Sequence, residues 1–93
     1  MEIIKYLGNK LAEQINISAP AARGLLKLSI KDELGPFKDL NQLNYEELSL
    51  VLKNSLKNRL INLKVNDQDH VINKLLNELT LNQSLITMAG VSL

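Results

Sequence analysis

The stretch Leu11–Ile30, LAEQINISAPAARGLLKLSI, decides the fold. It begins inside an apolar stripe in which Ile3, Leu7, Leu11 and Ile15 recur every four residues, with Ile4 beside them. That spacing puts all five along one side of a helix over residues 2–15. Only Asn16-Ile17-Ser18 separates this helix from a second helical pattern. Asn tolerates the left-handed conformation that a tight turn demands. Ser18 is a good N-cap, and Pro20 falls in the first turn, where its missing N–H costs nothing. Two helices joined by so short a turn fold back on each other as an αα-hairpin.

Working outward, the second helix covers Ala19 to Leu34 and stops at Gly35-Pro36. Its apolar residues Ala21, Ala22, Leu25, Leu26, Leu28, Ile30 and Leu34 take up over half the circumference, which predicts a central position. The row left to water is Arg23, Lys27 and Lys31. Gly8 and Gly24 are expected to let the first two helices approach closely. In the loop that follows, Phe37, Leu40 and Leu43 are expected to tuck into the core. A third helix opens at Asn44, which pairs with Glu47 in a capping-box pattern, and runs to about Leu63. Its main arc holds Leu48, Val51, Leu52, Leu56, Leu60 and Leu63, with Tyr45 at its start and Arg59 within it.

A fourth helix begins after Asn66 and continues to about Leu81, with Asp67 and Asp69 favoured by the positive end of its dipole. Ser84 to Ala89 reads as one or two further helical turns ended by Gly90, or as a short extended segment. The expected fold is all-α: one compact domain over residues 1–93, four helices and a short C-terminal helical element.

Composition narrows the functional classes. The chain has 20 Leu and 8 Ile against one Phe, two Tyr and no Trp, so its core is aliphatic. It advertises neither a base-stacking platform nor an aromatic interface anchor. Without cysteine there is no disulfide framework and no thiolate metal site. The opening MEIIK lacks the layout of a secretion signal, and no apolar run approaches the ~18 residues of a membrane span. A cytoplasmic protein without a membrane partner is the expectation.

Net charge is +1, but it is unevenly spread. Residues 66–93 carry Lys74 alone against Asp67, Asp69 and Glu78, whereas Leu48 to Val65 holds Lys53, Lys57, Arg59 and Lys64 with no acid. On the outward side of the third helix, Leu50 and Ile61 sit among Lys53, Lys57 and Lys64. Two apolar residues on a basic face suit an acidic, amphipathic partner helix, or the acidic fourth helix of a second copy. Arg59, on the inner arc, either snorkels, pairs with Asp32 or Glu33, or reaches an anionic ligand or acidic partner. Leu85, Ile86, Met88 and Val91 form a second possible contact.

The hairpin itself is similar to the helix-turn-helix of many DNA-binding domains, with small Ala12 at the helix contact and Ile15, Ile17 and Leu25 at the locking positions. That resemblance implies a second helix in the major groove, with Ser18 near its start and Arg23, Lys27 and Lys31 facing phosphates or base edges. Against it stand Asn16 where Gly is usual, a second helix that opens on Ala-Pro-Ala with almost no hydrogen-bonding capacity, and no strand pair like a wing.

Other chemistry finds less support. Asp67, Asp69 and Glu78 have the outline of a calcium loop, but Ile72 stands where Gly is required and Val71 takes a ligand slot. His70, the only histidine, has no evident orienting partner for nucleophilic catalysis. No metal, cofactor or small-molecule substrate is expected. The leading expectation is a small, non-enzymatic protein-interaction or regulatory module using Leu50, Lys53, Lys57, Arg59, Ile61 and Lys64. The alternative is a helix-turn-helix nucleic-acid-binding protein using Ser18, Arg23, Lys27 and Lys31.

Overall fold

The structure, a computed structural model, describes the backbone of residues 2–90 and the side chains of residues 2–86. Helix α1 (Glu2–Ile15) and helix α2 (Ala19–Leu34) are followed by a 3₁₀ turn (Leu40–Gln42). A continuous rod comes next, made of α3 (Tyr45–Val51), a π-helical segment (Leu52–Leu56) and α4 (Lys57–Asn62). Helices α5 (Gln68–Leu81) and α6 (Gln83–Gly90) complete the chain, with no strand among the described residues.

The α1–α2 hairpin forms as its sequence dictates. Asn16 takes φ 57°, and the Ile17 N–H reaches back to the Ala12 carbonyl at 3.2 Å. This is the C-terminal closure in which a left-handed residue lets the chain satisfy a carbonyl five residues earlier. Two residues on, the Ser18 Oγ accepts from the Ala21 N–H at 3.2 Å and starts α2. The helices meet most closely at Gly8, where a Cβ would lie 2.5 Å from Arg23 Cγ and 3.2 Å from Arg23 Cα. Gly24, expected to serve the same contact, has nothing within 4 Å of its would-be Cβ and faces open space.

The core is aliphatic. It gathers Ile3, Leu7 and Leu11 of α1, Leu26 and Ile30 of α2, Leu48 to Leu60 along the rod, and Val71 to Leu79 of α5, with Ile86 of α6 against them. Ser29 is the one fully buried polar side chain described, and its Oγ donates to the Leu25 carbonyl at 2.9 Å. That local bond lets α2 carry a hydroxyl inside without an unmet donor.

Several expected core residues lie outside, Ala21 among them. Leu28 is 46% exposed, because α2 buries a narrower face than its composition suggests. Of the loop residues, Leu43 is buried and Leu40 half-buried, but Phe37 is 97% exposed. Gly35 enters the loop at φ 92°, ψ 161°, and the chain meets the core again only at Leu40, leaving Phe37 at the outer bend. Leu63 is 60% exposed, for a reason that lies in the rod.

Candidate interaction interface

The rod starts with the capping box read from the sequence. Asn44 Oδ1 accepts from the Glu47 N–H at 2.8 Å, and the Asn44 N–H donates to Glu47 Oε1 at 3.1 Å. Lys38 ties the same carboxylate at 2.8 Å. The Lys38 hydrogen bond, with the Asn44 N–H and the lysine charge behind it, holds the Glu47 carboxyl below its ordinary value.

The rod then departs from expectation. An i+4 repeat overshoots an α-helical turn by about 40°, so Leu48, Leu52, Leu56 and Leu60 would drift around an uninterrupted helix. The wider π turn between them takes up that drift, and all four are 0% exposed. Everything after the turn is rotated by about one residue's share, ~100°, from where an uninterrupted helix would put it. Arg59 therefore leaves the inner arc for the flank facing α2, where its Nε lies 2.6 Å from Asp32 Oδ2. Ser55, one turn before, donates to Glu33 Oε1 at 2.7 Å on the same flank. Lys57 reaches Asp69 of α5 at 2.7 Å.

The hydrogen bond from Arg59, reinforced by its charge, lowers the Asp32 pKa, and Asp32 raises that of Arg59. Asp32 is exposed and Arg59 only half-buried, so the pair contributes little to stability. Of the two carboxylates considered for Arg59 the structure selects Asp32, at the surface and not in the interior.

The six expected partner-binding residues thus split. Lys57 and Arg59 are engaged within the molecule. Leu50, Lys53, Ile61 and Lys64 are exposed; neither Lys53 nor Lys64 has an acidic partner among the described residues, and Leu50 and Ile61 are 43% and 46% exposed. Leu63 is exposed as well, missed because an α-helical count buries it. Beside Leu50 lies an open groove of about 330 Å³ lined by Tyr45, Glu46, Ser49, Leu50 and Lys53. Lys64 closes the rod at φ 59°, with the Val65 N–H donating to the Leu60 carbonyl at 3.0 Å. Glycine is usual at such a position, and a β-carbon there costs about 1 kcal/mol.

On α2, Ser18 is spent as the N-cap, and Arg23 is half-buried with its Nη1 3.4 Å from Asn9 Oδ1. Lys27 and Lys31 are exposed and have no ion-pair partner among the described residues. Around them the exposed surface of α2 is Pro20, Ala21, Gly24 and Leu28, with Asp32 already held by Arg59. Near the C-terminus, Ile86 is buried, Leu85 is half-buried against the core and lines an open groove with Tyr6 and Asn9, and Met88 and Val91 lie outside the described side chains. His70 is exposed, and no group of three or more His, Asp or Glu side chains that could hold a metal stands among the described residues. Nor is any described helix long and apolar enough to cross a membrane.

Comparison with known proteins leaves these surfaces to speak alone. No family model matches the chain, and no curated protein and no solved structure matches it.

Proposed function

We propose that this chain is a non-catalytic cytoplasmic binding module that docks an acidic, amphipathic segment of a protein partner on the outward face of the rod. The observation that supports it most is the mixture of exposed apolar side chains and lysines along the rod. Leu50 and Ile61 are each exposed by more than two-fifths, and Lys53 and Lys64 have no ion-pair partner among the described residues. Aliphatic anchors flanked by free cations complement an acidic helix that carries its own apolar stripe. Lys64 adds a second point, since it holds a backbone position that glycine would fill with less strain.

The test is a titration of the amide spectrum with a model acidic amphipathic peptide built of Glu and Leu. Shifts should concentrate between Leu50 and Lys64. Leu50→Asp or Ile61→Asp should weaken binding by at least about tenfold with the helical signal intact. Shifts elsewhere, or aspartate variants that bind like the parent, would discard the reading. Light scattering on the free protein shows whether a second copy is the partner, since the same two variants would then dissociate a dimer.

A second reading, a helix-turn-helix nucleic-acid-binding protein, draws on the unpaired Lys27 and Lys31. The apolar opening of α2 weighs against base readout, leaving a phosphate-driven contact that added salt would dissolve.

A further inference from the structure

A separate surface lies between α1, α2 and the 3₁₀ turn. There Lys5, Arg23 and Lys27 line one groove of about 300 Å³ together with Glu2, Ile4 and Leu40. We propose that this groove binds a phosphate-bearing anion, with the Arg23 guanidinium as the central donor and the two lysines as flanking charges.

Four cations elsewhere are paired with a carboxylate: Lys10 with Glu78, Lys38 with Glu47, Lys57 with Asp69 and Arg59 with Asp32. Glu2 lines the same groove as Lys5, Arg23 and Lys27, yet it lies within ion-pair distance of none of them. Three positive charges therefore converge without internal compensation, against one acid.

Arg23 is also held in place. Its stem crosses the bare backbone of Gly8, where no larger residue leaves room, and its Nη1 points to the neutral Asn9 Oδ1 at 3.4 Å. A guanidinium fixed by packing and weakly bonded to a neutral acceptor keeps its charge and most of its donors for a ligand. Its planar fork matches two oxygens of one phosphate, while the lysines supply point charges to the others. An apolar ligand gains little here: the groove is open, and of its two apolar lining residues Ile4 is already buried.

Two sources share this chemistry, a free polyphosphate and the phosphodiester backbone of a nucleic acid. The experiment titrates the protein with inorganic pyrophosphate and, separately, with a short random-sequence duplex. Both are followed through backbone amides, at low salt and at about 0.15 M. Pyrophosphate should shift the amides around Lys5, Gly8, Arg23 and Lys27 in a saturable way. Arg23→Gln should weaken it about tenfold, the loss of one charge-assisted contact, and Glu2→Gln should strengthen it.

Because Arg23 also packs on Gly8, exposed Lys27→Gln serves as a second variant that leaves the packing alone, and it too should weaken binding. Lys31→Gln, outside the groove, should leave pyrophosphate binding unchanged. Saturable pyrophosphate binding that the duplex cannot match identifies a free phosphate ligand. Tight duplex binding that falls steeply with salt identifies a nucleic-acid backbone. Absence of saturable binding by either probe at low salt overturns the proposal, as does binding insensitive to both Arg23→Gln and Lys27→Gln. None of these outcomes bears on the docking face of the rod.

Discussion

The α1–α2 hairpin and the α3–α4 rod are built from the same aliphatic repeat, yet only one behaves as an ideal helix count requires. In the hairpin, Leu7 and Leu11 point into the core where the period puts them, and both helix ends fall where Asn16, Ser18 and Gly35 dictate. In the rod, four leucines spaced by four stay buried together only because the backbone widens into a π turn. A strict i+4 repeat over three steps drifts by about 120° on an α-helix. A helix must either let the last leucine leave the core or change its own pitch. Packing against α2 on one side and α5 on the other favours the second.

The largest effect should come from the residues that the π turn exchanges. Leu60→Ala should destabilise the fold by about 2–5 kcal/mol, as for a fully buried leucine, while Leu63→Ala should change it by less than about 0.5 kcal/mol. An uninterrupted helix would put Leu63 well inside the apolar arc and Leu60 at its edge. Denaturant melts of the two variants therefore decide whether the turn exists in solution.

The glycines of the hairpin give the next contrast. Gly8→Ala gains about 1 kcal/mol of helix propensity but forces a Cβ into Arg23, costing about 1–3 kcal/mol, so the net is destabilising. Gly24→Ala meets open space and should stabilise by about 0.5–1 kcal/mol. Thermal midpoints that move in opposite directions would establish the close crossing. Equal gains would remove it.

The same comparison extends to the helix ends. Lys64→Gly should relieve the left-handed backbone at the rod's C-terminus and raise stability by about 0.5–1 kcal/mol. Asn16→Gly should give less, because Asn already tolerates that conformation. If the docking face is used as proposed, Lys64→Gly also weakens peptide binding, so stability and affinity move apart in one variant.

Acid should produce the smallest effect. Asp32 and Glu47 both have lowered pKa values in the folded protein. The stability they contribute is fully present above their unfolded values and is lost as pH falls through the folded ones. Unfolding free energy should be flat from neutral pH to about 5 and decline below about 4. Asp32→Asn and Glu47→Gln together should flatten that decline.

Much of this architecture was legible in advance because it is encoded locally. Asn44 with Glu47, Ser18 before Pro20, and Gly35 before Pro36 each satisfy or end a helix within four residues, and each forms as read. The errors share another origin. Phe37 looked like core because it is apolar, and Gly24 looked like a contact because it is small; whether either touches anything depends on where distant helices lie. The candidate sites divide in the same way. That Leu50 faces outward could be counted along one helix, whereas Ile61 and Lys64 follow the π turn and are exposed on a stretch that it has rotated. That Lys57 and Arg59 are held by Asp69 and Asp32, and that Lys5 joins Arg23 and Lys27 in one groove, could not.

The sequence by itself determined that the chain is helical, where its first two helices begin and end, and that they form a hairpin, because period, caps and turn residues act over a few positions. Only the tertiary structure decided the pitch of the rod and the pairing of its charges. A fixed leucine spacing can stay buried in more than one backbone geometry, and packing against α2 and α5 selects among them.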